Sequence, residues 1–395
     1  MKRIWIGLLV AGVLGQGAMA AERARYLVQL KPGAEAAVLA QSQGMGGELA
    51  LALALKEQNA LALWLPSAAA TALARNPNVL WVEPDAKRYV SAETLPYGIP
   101  MVQAPQLSDA AAGEVLVCII DSGYSGGHPD LPHGPQVQGY DDVGTGNWDS
   151  DENSHGTHVA GTIAAVGGND QGVLGVLPNQ SVPLQIVKVF GANGWAYSSN
   201  LVGALNACKQ GMSSRGFTRM VINMSLGGSV PSKTEERAFN QAYSQNVLSV
   251  AAAGNAGNTS KSYPASYSSV VSVAAIDANK QLAYFSQRND QVELAAPGVS
   301  VLSTVPTGYA YYSGTSMATP HVVGVAALVW SQRLECSNDQ LRQTLRSSAQ
   351  DLGALGRDNS FGYGLVQAKA AADKLALGCG SGTGGGGSSK PGGRK

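Results

Sequence analysis

The sequence has no excess of either charge, because 27 Lys and Arg residues balance 27 Asp and Glu residues. A chain without net charge has no general attraction to nucleic acid or to an anionic membrane surface, so we expect neither as a partner. Charged residues are also few, 14% against 45% apolar residues, and this composition excludes a disordered chain. The 395 residues are enough for two or three domains.

A membrane-spanning run is missing from the N-terminus. Its apolar stretch, residues 4–13, is shorter than the about 20 apolar residues that a spanning helix needs, which argues against the alternative of a membrane anchor. Lys2 and Arg3 precede this stretch and Ala18-Met19-Ala20 follows it, which is the form of a cleavable signal peptide. We therefore predict a signal peptide over residues 1–20, no stable membrane span, and a secreted protein, extracellular or periplasmic.

Cysteine is scarce. No pair among the four has the close C-x-x-C spacing of a zinc knuckle or a redox motif. An even number in an exported chain indicates two disulfides, for which three connectivities are possible, and buried free thiols are the alternative. The four residues are Cys118, Cys208, Cys336 and Cys379.

The pattern of apolar residues divides the chain into domains. Residues 21–91 combine strand candidates with Ala-rich helical stretches and predict a small α+β domain. Residues 92–376 alternate apolar strands, at 115–121, 184–190, 219–226 and 247–255, with helices at 155–165, 199–209 and 235–246. Such alternation indicates an α/β fold, with a doubly wound, mostly parallel sheet and helices on both faces. Residues 377–395 are Gly/Ser-rich and predict a disordered tail.

The predicted elements favour one pairing of the cysteines. Cys336 follows the helix that begins at Ser316, and Cys379 follows the last predicted helix, so a bridge between them would fix the C-terminal segment to the core. Cys118 and Cys208 then remain. They lie on the first strand of the sheet and on a helix that covers it, which are neighbours in a doubly wound fold.

Three motifs carry the residue types of nucleophilic catalysis. IIDSG (119–123) places Asp121 at a strand end, NSHGTHVAGTIAA (153–165) places His155 at a helix start, and SGTSMATPHVVGVAALV (313–329) places Ser316 at another helix start. Pro320 lies close to that start, where a missing N–H costs little. A serine hydroxyl needs a base such as His155, and the base needs an acceptor such as Asp121 to orient it. The Ser316 N–H and the Asn255 amide can stabilise negative charge on a substrate carbonyl.

Each of these residues alone is more often structural, since a strand-ending Asp is commonly a turn or cap residue. Together, in the order Asp, His, Ser, they resemble the subtilisin-like serine peptidases, the subtilase family. IIDSG, NSHGTHVAG, NMSLGG, VAAAGN and SGTSMATPHVVG match that family's signature segments over about residues 92–370. The resemblance implies a secreted, monomeric serine endopeptidase that acts through an acyl-enzyme. Its catalytic residues would be Asp121, His155, Ser316 and Asn255.

The resemblance also implies an inhibitor and a mode of substrate binding. Residues 21–91 resemble, more loosely, the family's propeptide, an inhibitor and folding chaperone carried on the same chain. Polypeptide substrates would bind as an added strand, with broad specificity. The matching stretch is Ser225, Leu226, Gly227 and Gly228, for which a plain turn is the alternative. The wall of the main side-chain pocket would be Ala252, Ala253 and Gly254, small residues that leave room for a large apolar residue before the scissile bond.

A structural calcium site is implied in the same way. GNDQGVLGVLP (168–178) resembles the family's calcium loop and HPDLP (128–132) its partner segment, although an ordinary surface loop is the alternative. Oxygen ligands of this kind suit Ca²⁺. Side chains of Glu93, Asp130 and Asn169 and carbonyls of Gly167, Gln171 and Val173 would supply them, with Glu93 standing where the family usually has Gln.

Two other functions were weighed against the peptidase. The pair His155-x-x-His158 lacks the H-E-x-x-H pattern of a zinc peptidase, because Gly156 follows the first histidine. A catalytically silent peptide-binding relative would have lost at least one of the four catalytic residues, and all four are present. We therefore predict an active serine endopeptidase.

Overall fold

The computed structural model describes residues 23–44, 51–86, 93–142 and 144–379. The predicted signal peptide, the predicted boundary between residues 91 and 92, and nearly all of the predicted tail lie outside these residues. The chain divides into two compact units, Met1–Val90 and Ser91–Lys395. No helix within the described ranges is both long enough and apolar enough to cross a membrane.

The N-terminal unit is a four-stranded antiparallel sheet with two helices. Its elements are β1 (Arg23–Leu30), α1 (Glu35–Gly44), β2 (Leu51–Leu55), β3 (Ala60–Pro66), α2 (Ser67–Leu73) and β4 (Val79–Pro84). The strand order is β2-β3-β1-β4. Val28, Leu61, Leu63 and Leu73 are fully buried in its core, so the unit has an apolar centre of its own.

The C-terminal unit is built on a seven-stranded sheet in the order β11-β10-β9-β8-β5-β7-β6, with every pair parallel. A two-stranded hairpin, β12–β13, lies beside it. The elements are α3 (Gly98–Met101), β5 (Leu116–Asp121), β6 (Val137–Asp141), α4 (His155–Ala164), β7 (Leu184–Lys188), α5 (Ser198–Ser214), β8 (Met220–Met224), α6 (Lys233–Ser244), β9 (Val247–Ala252), β10 (Val270–Ile276), β11 (Val292–Pro297), β12 (Val301–Val305), β13 (Gly308–Tyr312), α7 (Thr315–Ser331), α8 (Asn338–Ser348) and α9 (Ala368–Ala376).

Helices cover both faces of this sheet, and successive residues of one strand point to opposite faces. In β5, Val117 and Ile119 pack into one apolar cluster, with α4, α7 and α9, while Leu116, Cys118 and Ile120 pack into another, with α5 and α6. All six residues of β5 are buried, as a strand covered on both sides requires. The predicted doubly wound α/β fold is therefore confirmed.

Several elements differ from their predicted bounds. Strands β8 and β9 end earlier than residues 226 and 255, because the chain leaves the sheet there to form loops. Strands β6, β10 and β11, the hairpin and helix α8 were not among the predicted elements. Helix α7 begins at Thr315, one residue before the predicted start at Ser316, so Pro320 is its sixth residue and lies inside the helix.

Both predicted disulfides are present, and all four cysteines are paired. Cys118 of β5 is joined to Cys208 of α5, with their Cα atoms 5.9 Å apart. Cys336 is joined to Cys379, with their Cα atoms 5.2 Å apart. The first bridge ties a central strand to its covering helix, and the second ties the end of the described chain to the core.

Candidate active site

A cleft of about 610 Å³ opens where strands β5, β7 and β8 end. Carboxyl ends of neighbouring parallel strands meet at one edge of a sheet, which is where α/β proteins place their functional groups. Asp121 ends β5, Ser225 follows β8, and His155 begins α4, and all three line this cleft. The fold thus brings together residues that are far apart in the sequence.

Asp121 and His155 are joined by a short hydrogen bond. The Oδ1 atom of Asp121 lies 2.7 Å from Nδ1 of His155 and also accepts from the Ser122 N–H at 2.8 Å. Asp121 is fully buried, whereas 28% of the His155 side chain is exposed. Burial by itself would lower the pKa of His155, but the Asp121 carboxylate, with Asp151 further away, raises it above its usual value overall.

The start of helix α4 is held by Asp151, which the sequence interpretation missed. Its Oδ1 accepts from Ser122 Oγ at 2.8 Å and from Ser154 N at 2.9 Å, and its Oδ2 accepts from Thr157 N at 2.8 Å. Ser122 Oγ in turn accepts from Gly156 N at 2.9 Å. A carboxylate that collects these donors stabilises a helix N-terminus and fixes the turn that carries His155. The sequence does carry a signal for this capping role, because Asp151 is an acidic residue shortly before a predicted helix start.

Glycine at position 156 is required by close packing. A Cβ there would overlap the carbonyl oxygen of Gly123 in the loop after β5. The first turn of α4 therefore approaches the end of β5 backbone to backbone, which places His155 within reach of Asp121.

Ser316 is the second residue of α7 and exchanges two hydrogen bonds with Ser225. Its Oγ donates to the Ser225 carbonyl at 3.1 Å, and Ser225 Oγ donates to the Ser316 carbonyl at 2.7 Å. Proline at position 320 has no N–H to bond that carbonyl in the helix, so Ser225 takes the missing donor's place. The pair of bonds ties Ser316 to Ser225, which lines the cleft together with His155 and Asp121.

Asn255 follows β9 and presents its amide N–H₂ near the start of α7. Its Oδ1 accepts from Thr315 N at 2.9 Å and from Thr315 Oγ1 at 2.8 Å. A backbone N–H can only donate, so the accepting atom must be the oxygen and Nδ2 is left to donate elsewhere. A Cβ built on Gly314 would lie 3.4 Å from Asn255 Nδ2 and 3.6 Å from Ser316 N. Two N–H donors therefore flank one small space beside Ser316.

The predicted substrate-binding stretch is only partly open. The backbone N–H and C=O of Gly228 are both bonded to Tyr263, each at 2.8 Å. Within the described part of the chain, the backbone of Leu226 and Gly227 has no such partner. Gly227 also packs closely against Ser262, whose Oγ a Cβ at position 227 would overlap. The edge available for pairing is thus shorter than the predicted run of four residues.

The predicted pocket wall follows β9 and is backed by a side chain that the sequence interpretation did not identify. Ala252 and Ala253 are buried, and Gly254 has a positive φ of 110°. A Cβ at Gly254 would overlap the amide of Gln287, which is itself buried. Position 254 therefore needs glycine.

The loop assigned to calcium contacts the side chains of Glu93 and Asp130, two of the predicted ligands, through N–H donors. Gly168 N donates to Glu93 Oε1 at 2.7 Å, Asn169 Nδ2 contacts Asp130 Oδ1 at 2.7 Å, and Val173 N donates to Asp130 Oδ2 at 2.9 Å. No three His, Cys, Asp or Glu side chains in the described ranges stand close enough to hold a metal by themselves. A calcium ion here would also need amide and carbonyl oxygens; the Glu93 and Asp130 carboxylates and the Asn169 amide, which come from three segments of the chain, are oxygen donors of the kind that Ca²⁺ prefers.

The other histidines of the motifs serve packing. His158 Nε2 lies 3.0 Å from the Val301 carbonyl, and its ring stacks on Tyr312. His321 Nδ1 lies 2.9 Å from the Met317 carbonyl. Burial lowers the pKa of both His158 and His321 to about 4, so both are neutral at pH 7.

Comparison with known proteins gives consistent matches. The model of the subtilase family matches residues 112–364. M-protease of Shouchella clausii (strain KSM-K16) is 43% identical over 313 residues, which cover 76% of each chain. Subtilisin E of Bacillus subtilis (strain 168) is 37% identical over 398 residues, 94% of this chain and 99% of its own. The crystal structure of the psychrophilic subtilisin-like protease Apa1 from Pseudoalteromonas sp. AS-11 is 35% identical, with a TM-score of 0.67 over 73% of this chain and 99% of that chain.

Proposed function

This chain belongs to the subtilase family of serine endopeptidases, and from that membership we propose that Asp121, His155 and Ser316 are its catalytic triad. Its substrates are polypeptides. The observation that carries the assignment is the 2.7 Å bond between Asp121 and His155 in the cleft where Ser225 also bonds the hydroxyl of Ser316.

The proposed mechanism uses each of these bonds. Because Asp121 holds Nδ1–H of His155, Nε2 is the free base that takes the proton from Ser316 Oγ. Because Ser316 Oγ donates to the Ser225 carbonyl in the structure, the hydroxyl has to turn from that carbonyl towards His155 before it reacts. Catalytic hydrogen bonds often reach their final geometry only when substrate is bound. Ser316 Oγ then bonds the substrate carbonyl carbon, the amine leaves with the proton from His155, and water hydrolyses the resulting ester.

Asn255 would stabilise the charge that develops in this reaction. When Ser316 adds to the carbonyl, its oxygen becomes negative and needs donors already aimed at it. Asn255 Nδ2 and Ser316 N flank the same space near Gly314. We assign both to that role.

The substrate backbone would pair with the free edge at Leu226 and Gly227 as an added strand. The residue before the scissile bond would then face Ala252, Ala253 and Gly254, whose small side chains leave room for a large apolar group. The enzyme would therefore have broad specificity, with a preference for large apolar residues before the scissile bond.

We further propose that the protein is an exported precursor. Residues 1–20 would be its signal peptide, residues 21–91 its inhibitory propeptide, residues 92–376 the catalytic domain, and the last 19 residues a Gly/Ser-rich tail. The separate apolar core of the N-terminal unit supports an independent inhibitor domain. The mature enzyme would act as a monomer outside the cell or in the periplasm.

A bound Ca²⁺ would hold together the three segments that carry Glu93, Asp130 and Asn169 without taking part in the reaction. A chelator should therefore lower the melting temperature of the wild-type enzyme but not that of an Asp130→Asn variant. A ligand at a hundredfold excess over Kd stabilises by about 2.7 kcal/mol. Identical melting curves of the wild type with and without chelator would remove this site.

The proposed function is tested with Ser316→Ala. Purified wild-type chain should cut an unfolded protein substrate at internal bonds and should remove its own residues 21–91, as N-terminal sequencing would detect. The Ser316→Ala chain should do neither. Self-processing by Ser316→Ala in a purified system would show that another group is the nucleophile.

A further inference from the structure

The cleft contains a carboxylate that the catalytic mechanism does not use. Glu235 lines the same cleft as Asp121 and His155, although it belongs to helix α6. It is only 3% exposed, whereas its neighbours Lys233 and Thr234 in the same turn are exposed. The side chain is therefore directed into the protein, towards the cleft, and away from bulk water.

Glu235 lacks a cationic partner among the described residues. Its Oε2 accepts from Tyr267 Oη at 2.7 Å, and no described residue donates to its Oε1. No Lys, Arg or His side chain in those ranges forms an ion pair with it. Burial raises the pKa of the Glu235 carboxyl, and the hydrogen bond from Tyr267 offsets only part of that rise. A buried carboxylate is costly unless a donor or a cation satisfies it.

A purely structural role explains this residue only in part. Glu235 stands in the first turn of α6, where a negative charge is favourable, and its N–H bonds the capping Ser232. An acidic residue with that role alone can point to solvent, as helix-terminal acids usually do. The structural role does not explain why one carboxylate oxygen faces the cleft without a donor from the described residues.

Other residues that line the same cleft as Glu235 suit a long cationic side chain. Trp195 and Tyr197 line the cleft, are 56% and 66% exposed, and meet edge to face with ring centroids 5.1 Å apart. Leu226, Val230 and Tyr263 add to the apolar lining of the cleft. Lys and Arg combine an apolar stem with a charged end, and aromatic faces attract that end.

We propose that Glu235 is a specificity-determining residue that selects substrates with Lys or Arg at one position upstream of the scissile bond, beyond the residue next to it. The inference rests on the proposed function, because it takes the substrate as a strand along Leu226 and Gly227. An extended peptide advances about 3.3 Å per residue, so a strand that leaves Ser316 along this edge passes the aromatic walls within a few residues. The charged end of a Lys or Arg side chain on that strand would contact the Glu235 carboxylate oxygen that does not bond Tyr267.

Fluorogenic peptides that differ at single upstream positions test this proposal. Each position carries Lys, Arg, or norleucine, which has an unbranched stem without charge, and kcat/KM is measured for each peptide. At one position the wild type should prefer Lys or Arg over norleucine by about tenfold or more, the usual gain from a hydrogen bond to a charged group. Glu235→Gln should reduce that ratio to near one, and Glu235→Leu should invert it.

Glu236→Gln is the matched control, because it removes a neighbouring charge from the same helix turn outside the cleft lining, and it should keep the wild-type ratio. A wild-type ratio near one at every upstream position would overturn the proposal whether or not the variants fold. An unchanged ratio in Glu235→Gln would overturn it as well. Absence of cleavage of all peptides would instead contradict the proposed peptidase function.

Discussion

Two side chains of the proposed site, His155 and Asn255, each have one polar atom in a hydrogen bond and a second polar atom that no described residue bonds and that is free to act. Asp121 occupies Nδ1 of His155, which leaves Nε2 as the base. Thr315 occupies Oδ1 of Asn255, which leaves Nδ2 as a donor. In both cases an ordinary hydrogen bond orients a side chain and leaves its other polar atom available for the proposed role. The chemistry therefore depends on these orienting bonds as much as on the residue types.

Asn255→Leu should lower kcat by about 10²–10³-fold, the usual cost of losing one oxyanion donor, and should change KM much less. Steady-state kinetics on a peptide substrate measure both constants. Asn258→Leu is the control and should retain wild-type kcat, because the Asn258 side chain accepts from Ser260 N in the same loop and no described residue at the start of α7 bonds it. An unchanged kcat in Asn255→Leu would remove this side chain from the mechanism.

The pH dependence of kcat/KM should report His155. Its pKa lies above the usual 6.5 in the folded enzyme, and the base acts only when neutral, so activity should fall as the pH drops through a value above 6.5. His158 and His321, with pKa values of about 4, do not titrate in that window. A kcat/KM profile measured with an uncharged substrate checks this. An acid limb centred below 6.5 would contradict the role of the Asp121 pair.

Helix α7 shows how an element is adapted to its site. A proline at the sixth position removes the donor that would bond the Ser316 carbonyl, and Ser225 from the loop after β8 replaces it. The helix is thereby linked to the neighbouring loop at the proposed nucleophile, Ser316. Sequence interpretation located both the helix and the proline, but the replacement donor comes from residue 225 and depends on the tertiary fold.

Ser225→Ala should destabilise the enzyme by about 1–2 kcal/mol, because it leaves the Ser316 carbonyl without a donor. In a Pro320→Ala background the loss should be smaller, since an N–H at position 320 can bond that carbonyl. Melting temperatures of the four proteins, inactivated with a serine reagent to prevent self-digestion, give this double-mutant cycle. Equal losses in both backgrounds would show that the two positions are independent.

At the scale of the whole molecule, the sequence was sufficient for the fold class and both disulfides. Buried strands and catalytic motifs are local patterns, so Asp121, His155 and Ser316 could be proposed from the residues around them. Asp151 and Glu235 were missed because their roles depend on partners brought close by folding. For the same reason, the sequence could not indicate that Tyr263 occupies the backbone of Gly228.

Covalent labelling tests the central claim, that His155 activates Ser316, most directly. The purified enzyme is treated with an organophosphate-type serine reagent, and peptide mass spectrometry locates the modification while residual activity is followed. We predict one label per molecule, on Ser316, with activity lost in proportion, and no label in His155→Ala. A label on another residue, or full activity after Ser316 is labelled, would contradict the account.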